Sequence, residues 1–540
     1  MKIQMASRRI LPENVVYGIM IAFCFWIAVF MRLYHIETVP YGVHIDEAGM
    51  GYDAWCMANY GVDRFQMSYP VYLTNFGGGQ SSLYAFLCML LIKIFGNGHV
   101  NLLLMRLPGI IISLLAYWAG VYAIREAYGK KWALVGAFLL AVLPYFTMQC
   151  RFGLDCNLLV NMLTISIVFL WNALSKEKKP LFLGAGILWG LTYYTYSISY
   201  LSNTGILFCI FLYRLVISKN KKKTIVNWSF LFLPVLILAL PLVLMLFVNQ
   251  FDLNQFQLGM LTITKLPEYR AGEISFSNVT NNLSQIFQVI FFKDWLPYNA
   301  FDRYYTMYPI SIPFIIIGLA VSLTEAIRMI KKRENSLIAI WILVFICYLC
   351  MGLLIGGDGI NVNKMNGIFF SQFFLLISGL RHFIKVMAKK SFYCARGVFG
   401  LLMISYLVAF CSFSRYYFEE YGSPAHTQIL FADTYDEVIK ELGNRNMDCK
   451  TIYIDQDLIY YFLGQEIPPF DTPYKITGPN VYEYQSIATW YYFGDKAFED
   501  VYTGKAIFIC QAENAIVRDM LMERGITEQF TCGMYVCYYM

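Results

Sequence analysis

Apolar runs long enough to cross a hydrocarbon core of roughly 30 Å recur near residues 15–33, 103–124, 132–149, 155–174, 180–197, 199–217, 226–248, 309–328, 335–355, 366–386 and 397–414. The pattern predicts about eleven membrane-spanning helices. One further run, Ser81 to Phe95, opens on serines suited to a helix start and stops at Gly96. At 1.5 Å per residue it reaches only about 22 Å, and it reads as an amphipathic juxtamembrane helix lying along the interface. With that choice, the basic residues of the N-terminus and of segments 125–131, 176–179, 214–223, 328–333 and 381–396 fall on one face. These are more than half of the 42 lysines and arginines, so the positive-inside rule makes that face cytoplasmic.

The opposite, extracytoplasmic face then receives a first long loop within 35–102, a second over 249–308, short loops at 149–155 and 356–365, and the tail. Residues 1–414 read as one multi-span membrane domain. Beyond them the period changes: a helix over 425–445 is followed by TIYIDQ, DLIYYFLG, KAIFICQ, ENAIVRDMLMERG and MYVCYYM, which alternate in strand and helix style. The fold class predicted is an α-helical polytopic membrane protein with a small C-terminal extracytoplasmic α/β domain over 415–540.

Composition agrees, with 58% hydrophobic and 14% charged residues against roughly 25% charged in soluble domains. The net charge of +6 lies in short clusters between apolar runs, which argues against a nucleic-acid partner. Lys2, Arg8 and Arg9 before the first run imitate a secretion signal, but Met31, Arg32 and Leu33 stand where a small-residue cleavage site belongs, so the first helix is retained. The 14 cysteines show no metal-binding spacing. Cys449, Cys510, Cys532 and Cys537 offer a disulfide in the tail, of undetermined pairing.

Candidate chemistry concentrates in the first loop, where Asp46 and Glu47 are adjacent. The pair suits a general base or a metal ligand; equally, Asp46 can cap the helix EAGMGYDAWCMAN and Glu47 favour its dipole, the helix ending near Gly61. His44, two residues away, reads as a packing residue. Asp46 with Asp155 supplies hard oxygen ligands for a divalent metal, Mg or Mn. Arg151 and Lys364 are the basic residues of the short loops, suited to meeting a phosphate or to anchoring at the interface. Asn361, Asn363 and Asn366 flank Lys364 and can orient a sugar or satisfy loop backbone. Gln80, Tyr84 and Arg303 complete the candidate substrate-binding set. Aromatics in Lys293–Asn299 and Asp302–Tyr305 read as interfacial anchors or a lid over a sugar. Those of Tyr193, Tyr194, Tyr196 and Tyr200 read as core packing, and Gly77 to Gly79 as a flexible turn or a phosphate nest.

The stretch around Asp46-Glu47-Ala48, with Tyr52-Asp53-Ala54, Ser82-Leu83-Tyr84, Lys93-Ile94-Phe95-Gly96, Arg106-Leu107-Pro108 and Arg151-Phe152-Gly153-Leu154-Asp155-Cys156-Asn157, resembles the GT-C class of membrane glycosyltransferases. The resemblance is to the branch of protein O-mannosyltransferases and lipid A aminoarabinose transferases. Gly77-Gly78-Gly79-Gln80-Ser81-Ser82-Leu83 stands where many relatives have Lys-Pro-Pro-Leu or His-Pro-Pro-Leu. The resemblance implies transfer of a sugar from a polyprenyl-phosphate donor to a hydroxyl of a protein, lipid or cell-envelope glycan, at the outer face of the bilayer, with Asp46 as base and Glu47 beside it. Phosphate leaves as a good anion, so one carboxylate suffices where a glycosidase needs two. A transporter or flippase of a lipid-linked sugar is the alternative. Its coupling carboxylates would lie within the spans, which here are nearly free of acid.

Overall fold

The computed structural model describes residues 12–75, 78–269, 274–292, 303–356, 360–422, 430–445, 447, 451–472, 474–476, 482–484 and 506–539. Its helices are α1 (Glu13–Leu33), α2 (Ile45–Tyr60), α3 (Leu83–Phe95), α4 (Leu102–Tyr128), α5 (Lys130–Val142), α6 (Pro144–Met148), α7 (Asp155–Lys176), α8 (Lys179–Thr192), α9 (Ser199–Ile217), α10 (Lys221–Gln250), α11 (Asn278–Phe291), α12 (Ile312–Lys332), α13 (Leu337–Leu354), α14 (Ile368–Lys390) and α15 (Phe392–Arg415). Among the described residues, nine helices are long and apolar enough to cross a membrane.

The other two apolar runs are helical but shorter than predicted. The run over 132–149 divides at Leu143, whose backbone is extended, because Pro144 has no amide to continue the helix and instead starts α6. The run over 180–197 leaves the helix after Thr192 for a series of turns, and the carbonyl of Tyr194 there accepts the Leu83 amide at 3.1 Å. The start of α3 is thereby tied to the end of α8. Helix α3 itself has 13 residues, about 20 Å, too short to span. It buries Tyr84, Ala85, Cys88 and Ile92 along one face and exposes Leu90, Ile94 and Phe95.

Without a hydrophobic drive between helices in lipid, close approach comes from small residues. Helices α12 and α14 meet at Gly318 and Gly379, where an added Cβ would fall 1.9 Å from the Leu375 carbonyl and 1.8 Å from that of Phe314. Ser322 donates to Ser378 in the same seam at 2.9 Å. Helices α7 and α14 are the most enclosed of the spans.

Two loops and the tail cover one end of this bundle. Strand β1 (Val43–His44) enters α2, and β2 (Tyr72–Leu73) pairs with β3 (Gln80–Ser81) before α3. In the second loop β4 (Phe256–Leu258) and β5 (Leu261–Ile263) form a hairpin. Thr262 donates its amide to Ser68 O at 3.0 Å and accepts that of Val71 on its carbonyl at 3.0 Å, lacing the loops together. Asn282 of α11 donates to Gly352 O and Leu353 O, satisfying carbonyls at the end of α13. The tail opens with β6 (Phe431–Ala432) and a helix at Asp436–Asn444, so the helix predicted from 425 is shorter and preceded by a strand. Four strands follow in the order Glu528–Cys532, Tyr535–Tyr539, Ala506–Gln511, Thr451–Ile454; the first two neighbouring pairs are antiparallel and the last is parallel. Cys510, Cys532 and Cys537 are free thiols, and Cys449 lies outside the described residues, so the expected disulfide does not join these three.

Strand β6 pairs antiparallel with β1, and Ile45 donates its amide to Leu430 O at 2.9 Å. Tyr52 Oη donates to Ile467 O at 2.7 Å, the Val100 amide to Glu466 Oε1 at 2.8 Å, and Tyr41 Oη to Asp433 Oδ2 at 3.1 Å. The tail therefore packs against the start of the helix that carries Asp46.

Candidate active site

The first turn of α2 is closed by a capping box, and its cap is His44 rather than Asp46. His44 Nδ1 accepts the Asp46 amide at 3.1 Å, while Glu47 Oε2 accepts the His44 amide at 3.3 Å. The Asp46 carboxylate is spared for other work. His44 packs between Phe152 and Phe431, and its burial pushes the imidazole down to about 3. It is therefore neutral, and its 3.8 Å separation from Asp46 Oδ2 is not an ion pair.

The sign of the linkage follows. Below the ordinary value of 6.5 an unfolded chain protonates this histidine and the folded chain does not, so acidification favours unfolding by about 1.4 kcal/mol per pH unit. The thermal midpoint is expected to fall on going from pH 7 to pH 5, and His44→Asn, which keeps a capping acceptor, flattens that dependence in a pH series of melts. An unaltered slope in the variant would assign the effect to other groups.

Glu47 is fully buried and fully engaged. Its Oε1 accepts Arg106 Nε at 3.0 Å and the Gly153 amide at 2.7 Å, and Arg106 also donates to Gly42 O at 2.7 Å and Ile36 O at 2.6 Å. A Cβ on Gly153 would stand 3.1 Å from Glu47 Cγ, so glycine lets the amide close on the carboxylate. Glu47 thus holds the loop, and of the adjacent pair Asp46 is the one that lines a cavity.

That cavity has a volume of about 560 Å³ and lies at one end of the bundle, between the first loop and the ends of α7, α9, α10 and α13. Its lining includes the polar Asp46, Asn75, Gln80, Asp155, Asn361 and Lys364 and the apolar Leu201, Met245, Leu246, Met351 and Ile355. Asn75 Nδ2 donates to Asp46 Oδ1 at 2.9 Å and to Gln80 Oε1 at 3.1 Å, orienting the carboxylate, whose side chain is 36% exposed. Asp155 opens α7 and accepts the Ser81 amide at 3.0 Å and that of Cys156 at 2.7 Å. Asn361 Oδ1 accepts the Asn363 amide at 3.0 Å, a local turn that presents Asn363 and Lys364 to the cavity. Gly78 and Gly79 also line it, and Gly77 lies outside the described residues.

Four further candidates are placed elsewhere. Arg151 is completely buried and donates to Met31 O and Tyr34 O at 2.7 Å and Val39 O at 2.9 Å, with Tyr417 and Phe418 against its guanidinium plane. It satisfies carbonyls in the last turn of α1 and in the segment just beyond it, and it does not line the cavity. Asn366 donates to Cys156 O at 2.8 Å in the interior. Tyr84 is buried beneath Glu47, against Gly109 and Gly153. Arg303 lies on the Tyr304 and Tyr416 rings, 4.0 Å from Glu420. The Lys293–Asn299 aromatics and Asp302 lie outside the described residues. Conversely, Asn75 escaped notice because a lone asparagine in a loop carries no spacing signal, and Tyr196 and Tyr200 line the cavity rather than only filling the core.

A protein-held Mg or Ca ion takes at least one or two carboxylates and further oxygens. Asp46 and Asp155 are the carboxylates lining the cavity, and among the described residues no group of three His, Cys, Asp or Glu converges to hold a metal.

Residues 80–247, from β3 through α10, match the family described as dolichyl-phosphate-mannose-protein mannosyltransferase. No curated protein matches the sequence. Among solved structures, ArnT from Cupriavidus metallidurans bound to undecaprenyl phosphate is similar with a TM-score of 0.53 at 10% identity, over 97% of each chain. The apo oligosaccharyltransferase of Archaeoglobus fulgidus is similar with a TM-score of 0.51 at 12% identity, over 85% of this chain and 64% of that one. Its complex with Zn and sulfate gives 0.50 at 12% identity, over 83% and 61%. This chain therefore spans about two thirds of the archaeal protein and nearly the whole of the bacterial one. With its apolar spans, the short α3 and the loops gathered at one end of the bundle, the chain has the fold of the GT-C membrane glycosyltransferases.

Proposed function

We propose that this protein transfers a sugar from a polyprenyl-phosphate donor to a hydroxyl acceptor, with Asp46 as the base. The observation that carries the reading is the mixed lining of the cavity: an oriented, partly exposed carboxylate shares it with apolar residues from the ends of α9, α10 and α13. A lipid-borne sugar phosphate combines the same two kinds of surface. The family match and the ArnT structure with undecaprenyl phosphate support this class of donor. The charge pattern of the loops supports an extracytoplasmic site, with the tail as a separate domain over it.

In the reaction the acceptor hydroxyl gives its proton to the Asp46 carboxylate as its oxygen bonds to the anomeric carbon. The bond from that carbon to the phosphate oxygen breaks, and the electron pair leaves with polyprenyl phosphate. Displacement from the opposite face inverts the anomeric centre. Lys364, the one lysine or arginine among the described lining residues, meets the growing phosphate charge. Asn361 and Asn363 hydrogen-bond the sugar, and Asp155 holds β3 through the Ser81 amide.

The test is release of polyprenyl phosphate and transfer of label from a panel of polyprenyl-phosphate sugars to membrane acceptors by the purified, reconstituted protein. Lys364→Met is expected to lower kcat by about 10²-fold, the size of effect seen when one transition-state donor is removed. Movement of intact labelled donor across the bilayer without transfer would overturn the reading in favour of a flippase.

A further inference from the structure

Helices α7, α9 and α10 carry the candidate active site at one end. At their other end lies a second cavity of about 470 Å³, and its charge is lopsided: Arg214, Lys219, Lys223 and Arg333 line it against a single carboxylate, Glu177. Glu177 is already shared, accepting from Arg214 Nη2 at 3.1 Å and from Lys223 Nζ at 2.5 Å. Arg214 Nη1 donates to Asn335 Oδ1 at 2.6 Å, yet its Nε has no partner among the described residues although the residue is only 9% exposed. Trp228, buried in the same lining, also has an indole N–H without a partner among the described residues. The cavity further includes the start of α10, capped by Asn220, where amide dipoles favour negative charge.

An apolar slot of about 180 Å³ adjoins it, between Trp171 and Leu174 of α7, Ile210 of α9, and Ala339, Ile340 and Leu343 of α13. The two share Arg214 and Asn335. A soluble anion would use the basic cavity and leave the slot; a molecule with a phosphate head and a hydrocarbon chain fits both. We propose that this is a binding site for an anionic phospholipid, its phosphodiester held by Arg214, Lys219, Lys223 and Arg333 and one acyl chain seated in the slot. Basic pockets between membrane helices take anionic headgroups in this way. The site stands apart from the sugar-transfer chemistry and does not depend on it.

The experiment is native mass spectrometry of the full-length protein released from vesicles of equal phosphatidylglycerol and phosphatidylcholine. The parent is expected to retain phosphatidylglycerol in preference by about tenfold or more. Lys219→Gln with Arg333→Asn removes two exposed cations without touching the ion pairs that Arg214 and Lys223 make with Glu177, and asparagine tolerates the left-handed backbone at 333 (φ +58°); it is expected to cut the preference by at least about threefold. Ala339→Leu fills the slot and is expected to lower phosphatidylglycerol retention with the charges intact. Excess inorganic phosphate is expected to leave the bound lipid in place. Equal retention of the two lipids, an unchanged preference in the double variant, or displacement by inorganic phosphate with no effect of Ala339→Leu would each overturn the proposal, the last in favour of soluble phosphate.

Discussion

Asp46→Asn is expected to lower kcat for sugar transfer by a factor of about 10²–10⁴ while the thermal midpoint stays nearly that of the parent. The separation of the two effects comes from the cap. Were Asp46 the N-cap, its loss would cost about 1 kcal/mol of helix stability or more. His44 takes that role, leaving Asp46 with a first-turn dipole contribution of about 0.3–1 kcal/mol. The amide of Asn retains an oxygen for Asn75 Nδ2, so shape and orientation persist and proton acceptance is lost. The measurement is label transfer at matched protein amount, paired with a melt. Undiminished transfer by a folded variant removes Asp46 as base and moves attention to Asp155, the other carboxylate of the cavity.

The second large effect is on folding. Arg106→Met is expected to destabilise by about 3–5 kcal/mol, because it leaves Glu47 charged in a fully buried position. Glu47→Gln alone strands the Arg106 guanidinium in the same way. The two together, Glu47→Gln with Arg106→Met, are expected to recover much of the loss, since no uncompensated charge remains. Thermal midpoints of the three variants in detergent check this, and an additive double variant would show that the two side chains act independently. Activity should follow the fraction folded, which distinguishes Glu47 from a second catalytic carboxylate. A catalytic Glu47 would lower kcat in the double variant after its stability had returned.

The comparison of Asp46 with Glu47 shows where a reading of the sequence stops. Both are acidic, adjacent and at a helix start, and nothing local separates them. The distinction is made by Arg106 and the Gly153 amide, which lie 59 and 106 residues further along the chain. Arg151 is the same case: its position in a short polar loop suits a phosphate ligand, but both of its Nη groups are turned onto carbonyls of Met31 to Val39. Asp155, Lys364, Asn361, Asn363 and Gln80 do reach the cavity, since each sits on a loop or helix end that the spans deliver to the same face.

What the sequence by itself determined is the part of the protein written in local terms. Apolar length marks nine of the eleven predicted runs as helices able to cross the bilayer, loop charge predicts their direction, and the change of period after residue 415 marks the tail as a different kind of structure. Ser82 and Gly96 flank α3 as expected, although the Ser82 hydroxyl donates to Val71 O and does not cap the helix. The tertiary structure alone decided which polar groups are enclosed within the protein and which line the cavity. In the loops covering the bundle a buried charge is stable only when hydrogen-bonded and paired, and its partners come from segments far apart in sequence. Arg106 and Glu47 are held in that way as a pair and Arg151 by backbone carbonyls, while Asp46, whose capping task passed to His44, remains at the cavity wall.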